Sequence, residues 1–185
     1  MIDTGSIRKG STFEQDGRLL KVVDFSHNKQ GRGSAQLRMT LRDLRTGSLT
    51  QQTVMAGTKF NSIRLERSHV QFLYQDASGF HFMDTETYDQ IVLMEATIGD
   101  AASYLKENDV IDLLTYEDEP IDIELPTSVV LAVAQTDPGF KGDTATGGNK
   151  PATLETGLTV NVPLFISEGD KIKVDTRTGA YIERV

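Results

Sequence analysis

Short runs of alternating apolar and polar residues, separated by glycine-containing turns, recur along this 185-residue chain and most constrain its fold. The clearest run is SAQLRMTLRDL, where Ala35, Leu37, Met39 and Leu41 alternate with Gln36, Arg38, Thr40 and Arg42. A period of two buries one face of a strand and exposes the other. This run and the preceding RLLKVVDFSHN are predicted to form a β-hairpin closed by a glycine-containing loop.

Similar patterns fill the remaining sequence and leave room for little helix. The best short helix candidate is IGDAASYLKEND, with Asp100 as its N-cap. Many short strands with frequent turns predict an all-β chain of small barrels rather than an α/β architecture. All five prolines lie at or after position 120, and Pro126 suits a linker.

Charge is distributed unevenly in a chain whose net charge is −8. Residues 1–64 hold 11 Lys and Arg against 5 acids, a net charge of +6. Residues 65–126 hold 2 bases against 15 acids, which gives −13, and residues 127–185 hold 6 against 7, which gives −1. Local fields steer association more than net charge does, so the N-terminal third is predicted to meet a polyanion.

Composition argues against several other classes. The chain has no cysteine, which removes disulfides, thiolate zinc sites and cysteine nucleophiles. Its histidines, His27, His69 and His81, are scattered without metal-ligand spacing, and no serine stands in a nucleophile-elbow context. We therefore expect no metal, no cofactor and no enzymatic activity. No apolar run approaches the ~20 residues of a membrane span and no signal peptide is evident, so a soluble cytoplasmic protein is expected.

His81 lies in the run GFHFMD, where alternation predicts Phe80 and Phe82 on one face and His81 on the other. A structural or surface role is the simpler interpretation of this histidine.

The run TDPGFKGDTATGGNKPATLETG is the nearest approach to a phosphate-binding loop. Gly142 and Gly147 have Walker A spacing, but Gly148 stands where a lysine is needed, which argues against nucleotide hydrolysis. The loop could still offer backbone N–H groups and polar side chains to an RNA backbone, among them Lys141, Thr144 and Lys150. An ordinary flexible connection is the alternative, and both stay open on composition alone.

Arg32 is the residue that packing explains least. Gly31 and Gly33 on either side permit a close approach to another backbone. The guanidinium stays protonated, and its planar fork suits phosphate oxygens and base stacking. Lys29, Arg38 and Arg42 would extend the positive surface along the hairpin. A solvated arginine in a turn is the alternative.

The run KPATLETGLTVNVPLFISEG carries the most specific motif in the sequence. The chain resembles the bacterial elongation factor P family over essentially its whole length. The family's C-terminal signature has the expected spacing here: Lys150, Ala152, Gly157, Val160, Val162, Pro163, Ile166 and Gly169. The flanking TDPGFKGDTATGG and IKVDTRTGAYIERV are also typical of the family, and the Gly-Arg-Gly tip falls where the family carries its functional residue.

The resemblance implies an all-β fold of three small barrels in an L-shaped, tRNA-like arrangement. Residues 1–64 would form a basic SH3-like (KOW-type) domain, 65–127 an acidic OB-fold domain and 128–185 a C-terminal OB-fold domain. Family members bind the 70S ribosome between the peptidyl-tRNA (P) and exit (E) sites and relieve stalling at consecutive prolines. A monomer without a membrane partner is implied.

The resemblance also assigns site residues. Arg32 would contact the CCA end of P-site peptidyl-tRNA, supported by a basic hairpin face of Arg38 and Arg42. The tip loop comprises Lys29, Gly31, Gly33 and Ser34. A second RNA-contact loop would lie near the E-site mRNA codon and comprises Gly142, Asp143, Thr144, Gly147 and Gly148.

The arginine at the tip departs from the many members that carry a modified lysine there. It excludes lysine-directed modification and leaves two states open: a bare arginine, or rhamnosylation of Arg32 by an arginine rhamnosyltransferase. The elongation factor P-like paralogue is an alternative identity. A general OB-fold binder of single-stranded RNA is another, although most aromatic residues lie in the acidic third, where phosphate is repelled.

Overall fold

The computed structural model describes residues 1–28, 35–139 and 148–185. Within these residues the chain forms three sheets and only one short helical segment. The prediction of an all-β chain with barrel-type sheets is confirmed. Two compact units are present, one of Met1–Ser68, Leu93–Gly99 and Leu113–Ile123, the other of His69–Val92, Asp100–Asp112 and Glu124–Val185. The central third of the sequence contributes to both units, and the predicted domain boundaries stay predictions.

The N-terminal sheet has six strands in the order β1-β6-β2-β3-β4-β5. They are β1 (Ile2–Asp3), β2 (Thr12–Gln15), β3 (Arg18–Asn28), β4 (Gln36–Asp43), β5 (Leu49–Met55) and β6 (Lys59–Ser62). One hydrophobic cluster fills its interior: Ile7, Phe13, Leu20, Val22, Leu37, Met39, Leu41 and Phe60. The rings of Phe13 and Phe60 lie 4.4 Å apart between centroids.

The predicted hairpin is formed by β3 and β4. Their antiparallel register runs from Leu20 opposite Asp43 to Asn28 opposite Gln36. Alternation on β4 is as predicted, because Leu37, Met39 and Leu41 are at most 1% exposed. A bulge between Val22 and Asp24 adds one residue to β3, which locally increases the twist of the hairpin.

The second sheet has the order β11-β10-β7-β8-β9. Its strands are β7 (Glu66–Asp76), β8 (Gly79–Asp84), β9 (Gln90–Leu93), β10 (Val110–Tyr116) and β11 (Glu119–Glu124). Phe72 packs on Phe80 and Phe82 with ring centroids 6.0 and 5.3 Å away. The predicted burial of Phe80 and Phe82 on one face is confirmed.

The helical segment differs from its prediction. A short α-helix, α1 (Glu95–Ile98), ends at Gly99, whose φ of 54° leaves the helical region. A 3₁₀ segment, Gly99–Tyr104, follows directly. Asp100 therefore lies inside this segment and is not an N-cap. The run IGDAASYLKEND does contain helical turns, but they are of the 3₁₀ type and end at Tyr104.

The third sheet has the order β14-β13-β12-β15-β16. Its strands are β12 (Ser128–Thr136), β13 (Asn149–Leu154), β14 (Thr159–Pro163), β15 (Lys171–Asp175) and β16 (Tyr181–Arg184). Four residues of the C-terminal signature form part of its core: Ala152, Val160, Val162 and Ile166. Gly157 and Gly169 have φ values of 86° and 85°, which favour glycine. Most residues of the signature thus serve to form the core and the turns of this sheet.

Candidate nucleic-acid interface

The predicted tip of the hairpin falls between two well-defined strand ends. Its residues, Lys29, Gly31, Arg32, Gly33 and Ser34, lie outside the described residues. On either side, His27 pairs with Leu37 and Asn28 pairs with Gln36. The two strands are therefore still in register where they lead into segment 29–34.

The two arginines predicted for the basic hairpin face have different surroundings. Arg38 is exposed and donates a hydrogen bond from Nη2 to the Gln51 side-chain oxygen on β5. Arg42 is on the same side of β4, but its side chain is only 28% exposed and its Nη1 lies 4.0 Å from a carboxylate oxygen of Asp122. Arg38 therefore faces solvent, whereas the guanidinium of Arg42 lies near the carboxylate of Asp122.

Asp122 is one of the few buried charged residues among those described, with a side chain 4% exposed. Lys21 Nζ donates to Asp122 Oδ2 at 2.7 Å, and the Ile123 backbone N–H donates to Oδ1 at 2.9 Å. Charge-assisted bonds of this length are the strong ones. Asp122 on β11 therefore pairs with two basic residues of the N-terminal sheet, closely with Lys21 and more distantly with Arg42.

The same unit holds a buried apolar cluster, whose member Ile121 precedes Asp122 in the sequence. Leu19, Leu44 and Ile121 are at most 3% exposed and form one cluster. Ile63, Leu65 and Tyr116 pack against it. Burial of these side chains lowers the local dielectric, which strengthens the electrostatic attraction nearby.

Two further ion pairs hold basic residues of the N-terminal sheet. Arg18 Nε donates to Asp43 Oδ2 at 2.8 Å, and Arg45 Nη2 donates to Glu119 Oε2 at 2.8 Å. Burial alone would raise the pKa of Asp43, but hydrogen bonds from Arg18 and from two backbone N–H groups outweigh it and hold the pKa below 3.8. The Arg45 hydrogen bond likewise lowers the pKa of Glu119.

These ion pairs neutralise part of the positive charge of residues 1–64. Lys21, Arg42 and Arg45 all face acids from the stretch Glu119–Asp122. The net charge of +6 counted for residues 1–64 therefore overstates how positive the protein surface is near β11. Arg38, at the other end of β4, donates to an amide oxygen and keeps its full charge toward solvent.

The predicted RNA-contact loop of the C-terminal sheet is only partly described. Gly142, Asp143, Thr144 and Gly147 lie outside the described residues, as does Lys141. Gly148 has a φ of 72°, and its carbonyl oxygen accepts a hydrogen bond from the Leu164 N–H at 3.2 Å. Lys150, which the sequence offered to RNA, is only 8% exposed and donates from Nζ to the Asp137 carbonyl oxygen. That part of the prediction is wrong, because Lys150 is used inside the sheet.

A Ser–His–Asp trio that sequence reasoning missed occurs in the β7–β8 turn. Ser78 Oγ lies 3.1 Å from His81 Nε2, and Asp76 Oδ1 lies 3.0 Å from the same nitrogen. In a catalytic triad the acid and the serine bind opposite ring nitrogens. Here Asp76 also accepts directly from the Ser78 hydroxyl and backbone, and its pKa is lowered to about 2 mainly by the Ser78 hydroxyl. The trio is a turn-stabilising network rather than a nucleophile.

Searches for two other kinds of site concern the described residues alone. No group of three or more His, Cys, Asp or Glu side chains in residues 1–28, 35–139 and 148–185 could hold a metal ion. None of the helices in that part of the chain has the length and apolar character needed to span a bilayer.

Comparison with known proteins first defines the class. Successive parts of the chain match family models for the Elongation factor P (EF-P) KOW-like domain (residues 3–60), the Elongation factor P (EF-P) OB domain (65–123) and the Elongation factor P, C-terminal region (129–184). A similar fold occurs in the solved structure of eukaryotic translation initiation factor 5A from Methanococcus jannaschii. That match has a TM-score of 0.52 and 20% identity, and covers 66% of this chain and 90% of that one. The chain is a KOW-like and OB-domain protein of the translation-factor type.

Full-length relatives then specify the family. The chain is 50% identical over 185 residues to elongation factor P of Herpetosiphon aurantiacus, and 52% identical over 184 residues to that of Moorella thermoacetica. Both alignments cover 100% of both chains. This chain belongs to the bacterial elongation factor P family and is a ribosome-associated translation elongation factor.

Proposed function

We propose that the protein binds the 70S ribosome between the P and E sites and promotes peptide-bond formation at consecutive prolines. In this proposal Arg32 contacts the CCA end of P-site peptidyl-tRNA. The observation that carries it is the β3–β4 hairpin, which stays in register up to Asn28 and Gln36 and leads directly into Gly31-Arg32-Gly33. A paired, twisted two-stranded stem fixes the two points from which segment 29–34 begins and ends.

The outer end of the hairpin has the exposure such a role needs. Ser26, His27 and Asn28 are exposed, although each is paired with β4. The opposite strand is anchored by Leu37, which is 1% exposed and belongs to the core cluster. The stem is therefore accessible on one side and fixed on the other.

The chemistry required of the protein is positioning. A guanidinium cannot act as a general acid or base near neutral pH, but it can donate several hydrogen bonds to phosphate or ribose oxygens. Proline is a poor donor and acceptor of the peptidyl group because its ring restricts the reacting backbone. Holding the CCA end in reactive geometry lowers the entropic part of the barrier, and the ribosome performs the bond chemistry. The protein itself is proposed to be no enzyme.

The exposed arginine on β4 supports a tRNA-facing surface beside the tip. Arg38 retains its charge toward solvent, whereas Arg42 is directed at Asp122. We assign phosphate contact along the acceptor arm chiefly to Arg38, with Arg42 in a lesser role. Binding that depends on such contacts weakens as salt rises.

Other assignments rest on the family resemblance. They are contact of the Gly142–Gly148 loop with the E-site codon, the L-shaped arrangement of three domains, a monomeric state, a cytoplasmic location and the alternatives of bare or rhamnosylated Arg32. Relatives named elongation factor P at about half identity over the whole chain favour the factor over its paralogue.

Ribosome binding separates this proposal from a general single-stranded RNA binder. We expect the wild-type protein to co-sediment with 70S ribosomes that carry P-site tRNA, and to bind a free single-stranded RNA of mixed sequence far more weakly in a filter assay. Arg38→Gln should lower the slope of log affinity against log salt by about one. Equally tight binding to free RNA and ribosomes would support the single-stranded RNA binder instead.

A further inference from the structure

An exposed aromatic ring lies beneath an arginine on the C-terminal sheet. Phe165 is 60% exposed, and Arg184 Cζ lies 5.5 Å from the centroid of its ring. The Arg184 side chain is itself 53% exposed. Most other phenylalanines among the described residues are buried: Phe13, Phe60, Phe72, Phe80 and Phe82.

The position of Phe165 is fixed by its neighbours in the chain. Pro163 ends β14, and its carbonyl oxygen accepts a hydrogen bond from the Ile166 N–H at 3.1 Å. Ile166 is fully buried in the core of the sheet. Phe165 thus lies between Pro163, which ends β14, and the buried Ile166. Its exposure therefore belongs to an ordered turn and not to a loose segment.

The residue that precedes Phe165 contacts both flanks of the glycine-rich loop. The Gly148 carbonyl oxygen accepts a hydrogen bond from the Leu164 N–H at 3.2 Å. Gly139 packs so closely that a Cβ there would lie 2.4 Å from the Leu164 carbonyl oxygen. Both flanks thus lie on Leu164, the residue that precedes Phe165.

We propose that Phe165 and Arg184 form a stacking platform for an unpaired nucleobase of ribosome-bound RNA. The proposal rests on the ribosomal function proposed above and adds a contact outside the Gly142–Gly148 loop. An exposed aromatic face and a planar guanidinium are the two protein surfaces on which single-stranded bases stack, whatever the base.

Local charge favours base stacking over phosphate binding at this platform. Arg184 Nη1 lies 3.8 Å from Asp170 Oδ2, and the nearby Glu183 pairs with Lys173 at 3.1 Å. The acids offset much of the positive charge, so an RNA phosphate gains little here. A nucleobase that stacks on Phe165 is stabilised, because it removes exposed apolar ring surface from water.

Photo-crosslinking tests the class of partner. Phe165 is replaced by p-benzoylphenylalanine. The matched control carries the same residue at Tyr88, which is 70% exposed in the turn between β8 and β9. With 70S ribosomes carrying P-site tRNA and mRNA, we expect position 165 to crosslink to RNA and position 88 not to. Separate recovery of mRNA, tRNA and ribosomal RNA identifies the source of the base.

Affinity measurements test the stacking itself. We expect Phe165→Leu to weaken ribosome binding by about fivefold or more, the lower end for loss of one stacked base, and Phe165→Tyr to preserve it. Arg184→Gln should weaken it less, by about two- to fivefold. Crosslinking only to protein, no crosslinking by ribosome-bound protein, or unchanged affinity of Phe165→Leu would each overturn the platform. A wild-type protein that fails to bind ribosomes would instead overturn the proposed function, and the platform with it.

Discussion

Removal of the buried carboxylate at Asp122 is the perturbation whose magnitude the structure defines best. Asp122→Asn keeps the shape of the side chain but removes the charge that Lys21 approaches to 2.7 Å. Truncating one partner of a buried ion pair typically costs about 3–5 kcal/mol, because the other charge is left uncompensated. Lys21 keeps 24% of its side chain exposed and can regain some water. We therefore expect the free energy of unfolding to fall by about 2–4 kcal/mol.

The assay is a double-mutant cycle measured by urea unfolding. Lys21→Met, Asp122→Asn and the double variant give the coupling energy, provided that the dependence of unfolding free energy on urea is unchanged. We expect a coupling of about 1.5–3 kcal/mol, since the double variant does not leave the Lys21 charge without its acid. The loss of the weaker Arg42 contact at 4.0 Å is common to both variants that carry Asp122→Asn, so it cancels in the cycle. The matched control is the Lys9–Asp24 pair, whose N–O distance is 2.8 Å but whose side chains are 68% and 63% exposed. Its cycle should give no measurable coupling. Equal couplings for both pairs, or an unchanged unfolding midpoint in Asp122→Asn, would refute the reasoning.

Three further predictions concern packing, titration and modification. Gly139→Ala places a Cβ 2.4 Å from the Leu164 carbonyl oxygen. Thermal unfolding should therefore show that the free energy of unfolding falls by about 1–3 kcal/mol. The control Gly5→Ala, whose Cβ would meet only the Asp3 side chain at 3.3 Å, should leave the free energy of unfolding nearly unchanged. The pKa of Asp175 is lowered from 3.8 to about 2, mainly by hydrogen bonds from the Arg177 side chain. Stability from this group is therefore complete above about pH 4 and lost as pH falls toward about 2. Carboxyl NMR titration of Arg177→Gln should show the Asp175 pKa raised, and an unchanged value would contradict the assignment. The intact mass of protein from its native host should equal the sequence mass if Arg32 is bare, and exceed it by one deoxyhexose if it is rhamnosylated; any other addition at Arg32 would contradict both states.

Much of the fold could be predicted from local patterns because its strands are amphipathic. Alternation placed Leu37, Met39 and Leu41 inside and Arg38 outside, and the register of β3 with β4 confirms the hairpin. Phe80 and Phe82 were assigned to one face for the same reason. The N-cap at Asp100 was predicted wrongly, because helical turns begin earlier, at Glu95, and Gly99 adopts a positive φ that ends α1. No pattern within the segment indicates this break or the 3₁₀ turns that follow it.

The electrostatics of the candidate site could be predicted only in part. Counting charge by segment finds a basic N-terminal third but not which of its residues are paired. Lys21 and Asp122 are far apart in sequence, so their contact follows from tertiary structure alone. Lys150 was misassigned for a similar reason, since its bond to the Asp137 carbonyl oxygen is invisible in composition. The exposure of Phe165 was also missed, because VPLFIS resembles an ordinary apolar run.

The recognisable family signature and the proposed functional residues lie in different parts of the chain. Ala152, Val160 and Val162 are core residues, and Gly157 and Gly169 occupy turns. They identify the family because they determine how a sheet folds. The role proposed for Arg32 is a separate inference, which rests on the family resemblance and on the position of this residue in the sequence between the paired strands β3 and β4.

The most direct test of that role is the rate of peptide-bond formation between two prolines on purified ribosomes. A ribosome complex with fMet-Pro in the P site is mixed with Pro-tRNA, with and without the protein, and fMet-Phe with Phe-tRNA serves as the control. We expect the wild-type protein to accelerate the proline reaction and leave the phenylalanine reaction unchanged. Arg32→Ala should bind ribosomes and unfold like the wild type but give no acceleration. Full acceleration by Arg32→Ala would contradict the central claim that this guanidinium positions the peptidyl-tRNA.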